Sequence, residues 1–205
     1  MEIRKASLIC TLICTQLSLA AAARADDPRA KAISMIKADF SAQGSAGVDR
    51  LEQDGLQAVC TRSGNKPPPA IARRLEQDQQ AGIRYPADGK FLGDWRSGEK
   101  IAQSGSGYTW TDPPGVPAGG NCYNCHRLAP QELSFGSLGP ALTGYGKTFG
   151  NTTEVQKYVY GKIYNAKASH LCSIMPRFGH VGALNEQQIK DLVALLLDPA
   201  SPVNQ

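Results

Sequence analysis

The stretch Cys122-Tyr123-Asn124-Cys125-His126 decides how this 205-residue chain is interpreted. Two thiols separated by two residues, with an imidazole directly after the second thiol, form the pattern to which a c-type haem is attached. Cys122 and Cys125 would each form a thioether with one haem vinyl group. His126 would then lie beneath the iron as its proximal ligand. The motif therefore predicts one covalent haem c.

Two other chemistries use a CxxC pair, namely a redox dithiol and a structural zinc site. A dithiol motif follows a strand and opens a helix within a βαβ unit, whereas Ala118-Gly119-Gly120 precedes this pair. A structural zinc site needs four ligands, and the sequence has no second CxxC pair and no HxxxH pair. Haem is the better match, provided that an export signal and a second axial ligand are present.

The N-terminus is typical of an export signal. Two basic residues precede an apolar run over residues 6–23, and Ala23-Arg24-Ala25 supplies the small residues that a signal peptidase reads. We expect residues 1–25 to be a signal peptide that is cleaved after Ala25. The mature protein is then expected in the periplasm, where c-type haem is attached and disulfides persist.

No membrane span is expected from this chain. The apolar run of the leader is interrupted by Thr, Gln and Ser, and it falls short of the roughly twenty apolar residues that cross a bilayer. Cys10 and Cys14 each follow an Ile at the position where a lipoprotein signal has a small residue. We therefore expect both cysteines to be discarded with the leader.

Two cysteines remain after the leader and the haem motif are accounted for, Cys60 and Cys172. In an oxidising compartment an even remainder predicts a disulfide, the alternative being two buried, inert thiols. Such a bridge would close a loop of more than a hundred residues. Loop entropy sets an upper value of about 4 to 5 kcal/mol on the stabilisation.

The second axial ligand is predicted to be Met175. It lies in residues 172–179, where a proline and a glycine favour an irregular loop that can place a thioether across the haem face. Met35, the other methionine beyond the leader, belongs to a helical stretch and is expected to be a packing residue. His170 and His180 are expected in exposed loops.

The turn at Gly139-Pro140 is predicted to support His126. A backbone carbonyl there could accept a hydrogen bond from the Nδ1 proton of the imidazole and so fix the orientation of the ring. The alternative is an ordinary turn that has no contact with the haem ligand.

The C-terminal segment gives the clearest prediction of a helix. Asn185 and Gln188 form a reciprocal capping pair, and Asp198-Pro199 ends the run. Its apolar stripe follows the i, i+3, i+4, i+7 spacing of a helix, with Asp191 among the residues outside it; the stripe contains Ile189, Leu192, Val193 and Leu196.

Further helices are predicted along the rest of the chain. A helix over residues 95–104 should cross the last helix, and Thr152 or Thr153 should cap a helix that buries Val155, Tyr158, Val159 and Ile163. Upstream, Asp26 or Asp27 with Pro28 begins one helix, a second includes Leu51 and Val59, and a third covers residues 70–80.

Because alternating β-branched runs are few, we predict an all-α fold. The expected fold is a small class I-like cytochrome c domain over residues 95–205. An N-terminal helical extension over residues 26–94 is expected to wrap that domain or a partner.

The charge balance excludes one broad class of function. The formal net charge is +4, and the leader accounts for about half of it, so the mature chain is only weakly basic. Nucleic-acid binding is therefore not expected.

Several stretches of this chain resemble the SoxX family, the monohaem subunit of the SoxAX cytochromes of periplasmic sulfur oxidation. They are residues 122–136 (CYNCHRLAPQELSFG), 175–180 (MPRFGH) and 188–204 (QIKDLVALLLDPASPVN), with shorter similarity at residues 93–95 and 102–105. The resemblance covers about the last hundred residues well and the N-terminal extension poorly.

The resemblance implies a heterodimer with a SoxA-type cytochrome subunit. In this family the complex is an L-cysteine S-thiosulfotransferase, which joins thiosulfate oxidatively to a cysteine of the carrier protein SoxYZ and releases two electrons. The chemistry is placed at the partner's haem, so this chain would accept electrons and pass them to a soluble cytochrome. By motif, Cys122 and Cys125 are the thioether sites, and His126 and Met175 are the axial ligands.

Two alternatives stay open. A free-standing periplasmic electron-transfer cytochrome would use the same haem ligands without a SoxA partner, because residue chemistry alone does not separate a carrier from a subunit of an enzyme. A dithiol oxidoreductase would hold no haem.

Overall fold

The computed structural model describes residues 27–113 and 115–205. Across that part the chain forms helices and no β-strand, which confirms the all-α class. The predicted signal peptide, residues 1–25, lies outside the described residues. The α-helices are α1 Pro28–Asp39, α2 Gly55–Arg62, α3 Pro69–Ala81, α4 Trp95–Gln103, α5 Tyr145–Phe149, α6 Thr153–Tyr164 and α7 Glu186–Leu197. Short 3-10 helices cover Val48–Leu51, Cys122–Asn124, Ala166–Ala168 and Pro202–Asn204.

The chain divides into two compact units, and α1 belongs to the first of them, with residues 47–51. The predicted start of α1 is confirmed, because the carboxylate of Asp27 accepts a hydrogen bond from the Arg29 N–H at 3.0 Å and Pro28 occupies the first turn. Met35 has 57% of its surface exposed, since α1 buries none of its residues. Its predicted role in packing is therefore wrong.

None of the described helices is long and apolar enough to span a bilayer.

The second unit contains residues 43–46 and 52–205, and its core forms where α4 crosses α7. Gly98 lies at the crossing, so close to α7 that a Cβ there would overlap the carbonyl oxygen of Asp191 and lie 3.0 Å from the Cβ of Leu195. The predicted crossing is confirmed, and so is the capping box of Asn185 and Gln188 that begins α7.

Asp191 is buried, although the sequence analysis placed this residue outside the apolar stripe of α7. Its carboxylate accepts one hydrogen bond from the Asp94 N–H at 2.9 Å and another from Nε2 of Gln187 at 2.8 Å. Because these partners satisfy the buried charge, Asp191 ties the start of α4 to α7.

Helix α6 buries most of the predicted face and two tyrosines besides. Thr152 caps it as predicted, but the buried residues include Tyr160 and Tyr164 beside Val159 and Ile163. Tyr158 is half exposed, so its predicted burial is wrong. Aromatic packing widens the buried face: the Tyr160 ring lies 5.6 Å from that of Phe91 and 5.9 Å from that of Tyr85.

A second, smaller core lies where α2 and α3 meet the segment after α6. It contains Leu56, Cys60 and Leu171, with Ala72, Leu75 and Cys172 packed against it. The predicted helix through Leu51 and Val59 begins only at Gly55, where Asp54 and Gln57 form a capping box. Helices α2 and α3 therefore belong to the second unit and contribute to its smaller core.

We predict that Gly98→Ala lowers the free energy of unfolding by about 1 to 3 kcal/mol, because the added methyl group forces α4 away from α7. Gly55→Ala is the matched control. Nothing lies within 4 Å of a Cβ at that position, and alanine is the better helix former, so the control should be neutral or stabilising. Urea denaturation followed by circular dichroism measures both; equal stability of Gly98→Ala and wild type would contradict the close crossing.

Candidate haem-binding site

The CxxCH motif folds as a single turn that lies beside α4. The N–H groups of Cys125 and His126 both donate to the Cys122 carbonyl, at 3.1 Å and 2.9 Å. Just before the motif, the N–H of Gly120 donates to the Ile101 carbonyl at 2.8 Å. Helix α4 therefore fixes the position from which the motif begins.

A second stretch, residues 136–142, runs alongside the motif, and every third residue of it is bonded to the motif or its flank. Three N–H groups of this stretch donate to carbonyls of the motif and its flank. The pairs are Gly136 with Tyr123 at 2.8 Å, Gly139 with Cys125 at 2.7 Å and Leu142 with Arg127 at 2.7 Å. These bonds satisfy backbone groups that no helix or strand would pair.

The imidazole of His126 is held from this second stretch. Its Nδ1 lies 2.7 Å from the Pro140 carbonyl oxygen, as the sequence predicted. A carbonyl only accepts, so Nδ1 carries the proton and Nε2 carries the lone pair that a metal requires. Gly139 packs directly on the ring, because a Cβ there would overlap it. The ring orientation and tautomer are therefore both fixed.

The two thiols of the motif are not bonded to each other. Burial raises the pKa of the Cys122 thiol to about 12. A thiol with a raised pKa stays protonated at neutral pH and is a weak nucleophile in exchange reactions. CxxC oxidoreductases have the opposite property, a reactive cysteine with a lowered pKa.

Met175 lies in residues 172–179, here called the methionine loop. Its side chain is half buried and packs against the main core, as does Cys122. The Met175 N–H donates to the hydroxyl oxygen of Ser173 at 3.2 Å. At the far end of the loop, the Gly179 N–H donates to the Tyr164 carbonyl at 3.1 Å, which fixes the loop against the end of α6.

The methionine loop is also joined to α2 at two points. Cys172 forms a disulfide with Cys60, with a Cα–Cα distance of 5.5 Å. Arg177, whose side chain is only 11% exposed, forms an ion pair with Asp54, the residue that caps α2. Burial raises the pKa of Asp54, but the Gln57 N–H and Arg177 outweigh that effect and hold the pKa below its ordinary value.

The sequence analysis missed the ion pair of Asp54 with Arg177. The capping box at Asp54 was a readable signal for the start of α2. No local pattern indicates a partner 123 residues away.

His170 and His180 are exposed, as expected. Nδ1 of His170 lies 2.8 Å from the Lys162 ammonium group, which also donates to the Ser169 hydroxyl at 3.1 Å. His170 therefore belongs to a surface cluster.

The residues of the site fit a covalent haem. The motif supplies two unbonded thiols and an imidazole with a free Nε2 lone pair, and the methionine loop supplies a thioether. Large apolar side chains next to both ligand segments are exposed and suit the face and edge of a porphyrin. They include Leu133 (97% exposed), Leu138 (69%) and Ile174 (73%). The haem itself stays a prediction.

Comparison with known proteins gives one relative to report. No protein family model matches the chain. An uncharacterized lipoprotein of Aquifex aeolicus (strain VF5) is 37% identical over 155 residues, which is 75% of this chain and 73% of the relative. The chain belongs to the family of that lipoprotein. Because residues 95–205 number fewer than 155, the likeness to the Aquifex lipoprotein also includes part of residues 1–94.

Proposed function

We propose that this protein is a monohaem c-type cytochrome that accepts electrons in the periplasm. The observation that carries the proposal is the hydrogen bond of His126 Nδ1 to the Pro140 carbonyl within a CxxCH turn. That bond leaves Nε2 as the basic nitrogen, which is what an iron ligand requires. A redox dithiol is disfavoured, because the pKa of Cys122 is raised.

A bound haem would let the protein accept one electron at a time at the iron. The chain's own residues set the conditions for it: Cys122 and Cys125 attach the porphyrin, His126 presents an oriented imidazole, and Met175 presents a thioether. A His/Met ligand pair raises the reduction potential relative to other axial pairs. This suits an acceptor that stays reduced until a soluble cytochrome collects the electron.

The finer proposal is that the protein is the SoxX-type subunit of a SoxAX-type L-cysteine S-thiosulfotransferase. Its support is the resemblance of residues 122–136, 175–180 and 188–204 to that family. On this proposal a SoxA-type subunit completes the heterodimer, and thiosulfate is joined to a cysteine of SoxYZ at the partner's haem. This chain would collect the electrons released there. The alternative is a free-standing electron-transfer cytochrome with the same cytochrome c fold.

We further propose that the protein is exported, with cleavage after Ala25. The relative's name, lipoprotein, is compatible with an exported protein. Attachment of lipid to Cys10 or Cys14 is the competing outcome. It is disfavoured because an Ile precedes each of them.

We predict that Met175→Ala abolishes the weak red-edge sulfur-to-iron absorption band of the oxidised protein while haem remains attached, since the thioether is the source of that band. His170→Ala and His180→Ala are the controls and should keep the band. A visible spectrum and intact mass decide the matter. A band that persists in Met175→Ala would make the distal ligand wrong, and a wild-type mass equal to the bare polypeptide would end the haem proposal.

The SoxAX proposal predicts that the protein copurifies from the periplasm with a second cytochrome, visible as two haem-stained bands on a gel. When SoxYZ and thiosulfate are added to the two cytochromes together, electrons from thiosulfate oxidation should reduce the haem of this chain. The haem should stay oxidised when this chain is tested without the second cytochrome. A monomer whose haem stays oxidised under the same conditions would favour the free-standing electron carrier.

The export proposal predicts that the mature chain begins at Asp26, which mass spectrometry of the N-terminal peptide measures. Recovery in the periplasmic fraction should accompany that N-terminus. A lipid-modified Cys10 or Cys14 in the membrane fraction would contradict it.

A further inference from the structure

Helix α2 is joined to the methionine loop on both sides of Met175. The disulfide of Cys60 with Cys172 lies three residues before Met175, and the ion pair of Asp54 with Arg177 lies two residues after it. Both partners belong to the same helix, because Asp54 caps α2 and Cys60 lies in its last half. The loop is thus fixed at its two flanks to one rigid element.

Helix α3 holds the segment that leads into the loop. Nε2 of Gln80 donates to the Ala168 carbonyl at 3.1 Å, and Nδ2 of Asn165 donates to Oε1 of Gln79 at 3.0 Å. Together with the small core around Leu171, these contacts order the chain immediately before Cys172.

A methionine on a mobile loop is a weak iron ligand, because each ligation event has to order the loop again. Ordering one residue costs about 1 to 2 kcal/mol of backbone entropy. Constraints that are already in place before ligation remove that cost, which is the general basis of preorganisation. The disulfide and the ion pair flank Met175, so they order the residues that ligation would otherwise have to order.

We propose that α2 keeps Met175 in position to bind the haem iron, with Asp54 and Cys60 as the positioning residues. The inference rests on the proposed haem ligation by Met175. It gives α2 a role in iron ligation, through the position of Met175. Loosening either tie should let an added ligand displace the thioether more easily, with little change in the way the haem is attached.

The test uses the full-length holoprotein in its ferric form, titrated with imidazole and followed by its visible spectrum. Asp54→Ser removes the charge opposite Arg177 but keeps a good N-cap for α2. We expect it to bind imidazole about tenfold more tightly than wild type, a change of about 1.4 kcal/mol. The red-edge sulfur-to-iron band should weaken in parallel.

Asp94→Ser is the matched control. Asp94 caps α4 through the Arg96 and Ser97 N–H groups, and its ion pair with Arg96 is exposed. Asp94→Ser also removes a carboxylate from a helix N-cap, but it leaves every contact of the methionine loop in place. Its imidazole affinity should stay within about twofold of wild type, since exposed ion pairs contribute little.

The disulfide is tested without a substitution, in case a variant fails to fold. Dithiothreitol reduces the bridge of Cys60 with Cys172 to two thiols and is itself oxidised to its cyclic disulfide, while thioether bonds to haem are not reduced. Because dithiothreitol also reduces the ferric haem, the two thiols are alkylated, the reagent is removed and the iron is reoxidised with ferricyanide before the titration. We expect this wild-type protein with an opened bridge to bind imidazole about tenfold more tightly as well. An intact mass with alkylated thiols confirms that the bridge is open.

Two outcomes overturn the inference alone. In the first, Asp54→Ser and the protein with an opened Cys60–Cys172 bridge both bind imidazole within twofold of wild type. The ion pair and the disulfide would then be purely structural. In the second, Asp94→Ser gains as much affinity as Asp54→Ser. A Met175→Ala protein with unchanged imidazole affinity would instead overturn the proposed ligation, and the inference with it.

Discussion

The close approach of Gly98 to α7 is the constraint on which the site depends. It sets α4 against α7, and the buried carboxylate of Asp191 holds the start of α4 in that place. The carbonyl of Ile101 near the other end of α4 then receives the Gly120 N–H. In this way the backbone contact between two helices determines where the CxxCH turn begins.

Backbone hydrogen bonds and the His126 side chain fix the second stretch of chain against that turn. Residues 136–142 are bonded to the motif and bring the Pro140 carbonyl to His126. The opposite ligand segment has a separate support, made of α2, α3 and the end of α6. The CxxCH turn is therefore supported from the main core, whereas the methionine loop contacts both cores, the smaller one through Cys172 and the main one through Met175.

Local features of this fold were readable from the sequence, and long-range ones were not. The caps at Asp27 and Asn185, the helix at residues 95–104 and the Pro140 contact each depend on neighbours in sequence or on a short turn. The burial of Asp191 depends on partners that only the fold brings together, as does the exposure of Tyr158. Periodicity describes one helix at a time, so it missed the aromatic cluster that buries Tyr160 of α6.

The pairing of Asp54 with Arg177 shows the same limit for the candidate site. Each residue has a plausible local interpretation, a helix cap and a loop cation, and neither predicts the other. Their contact follows from the smaller core, which forms from segments more than a hundred residues apart. The sequence therefore identified Met175 as a candidate ligand but not the contacts of Asp54 and Arg177 that hold its loop.

The buried, protonated thiol of Cys122 has a consequence for maturation of the chain. Four cysteines allow three ways of forming two bridges, and exchange between them requires a thiolate that can reach a disulfide sulfur. Once the chain is folded, the raised pKa makes the Cys122 thiol a poor attacker of the bridge of Cys60 with Cys172. Exchange through Cys122 is thereby favoured before folding, so the order in which export, oxidation and folding occur influences which bonds the protein keeps.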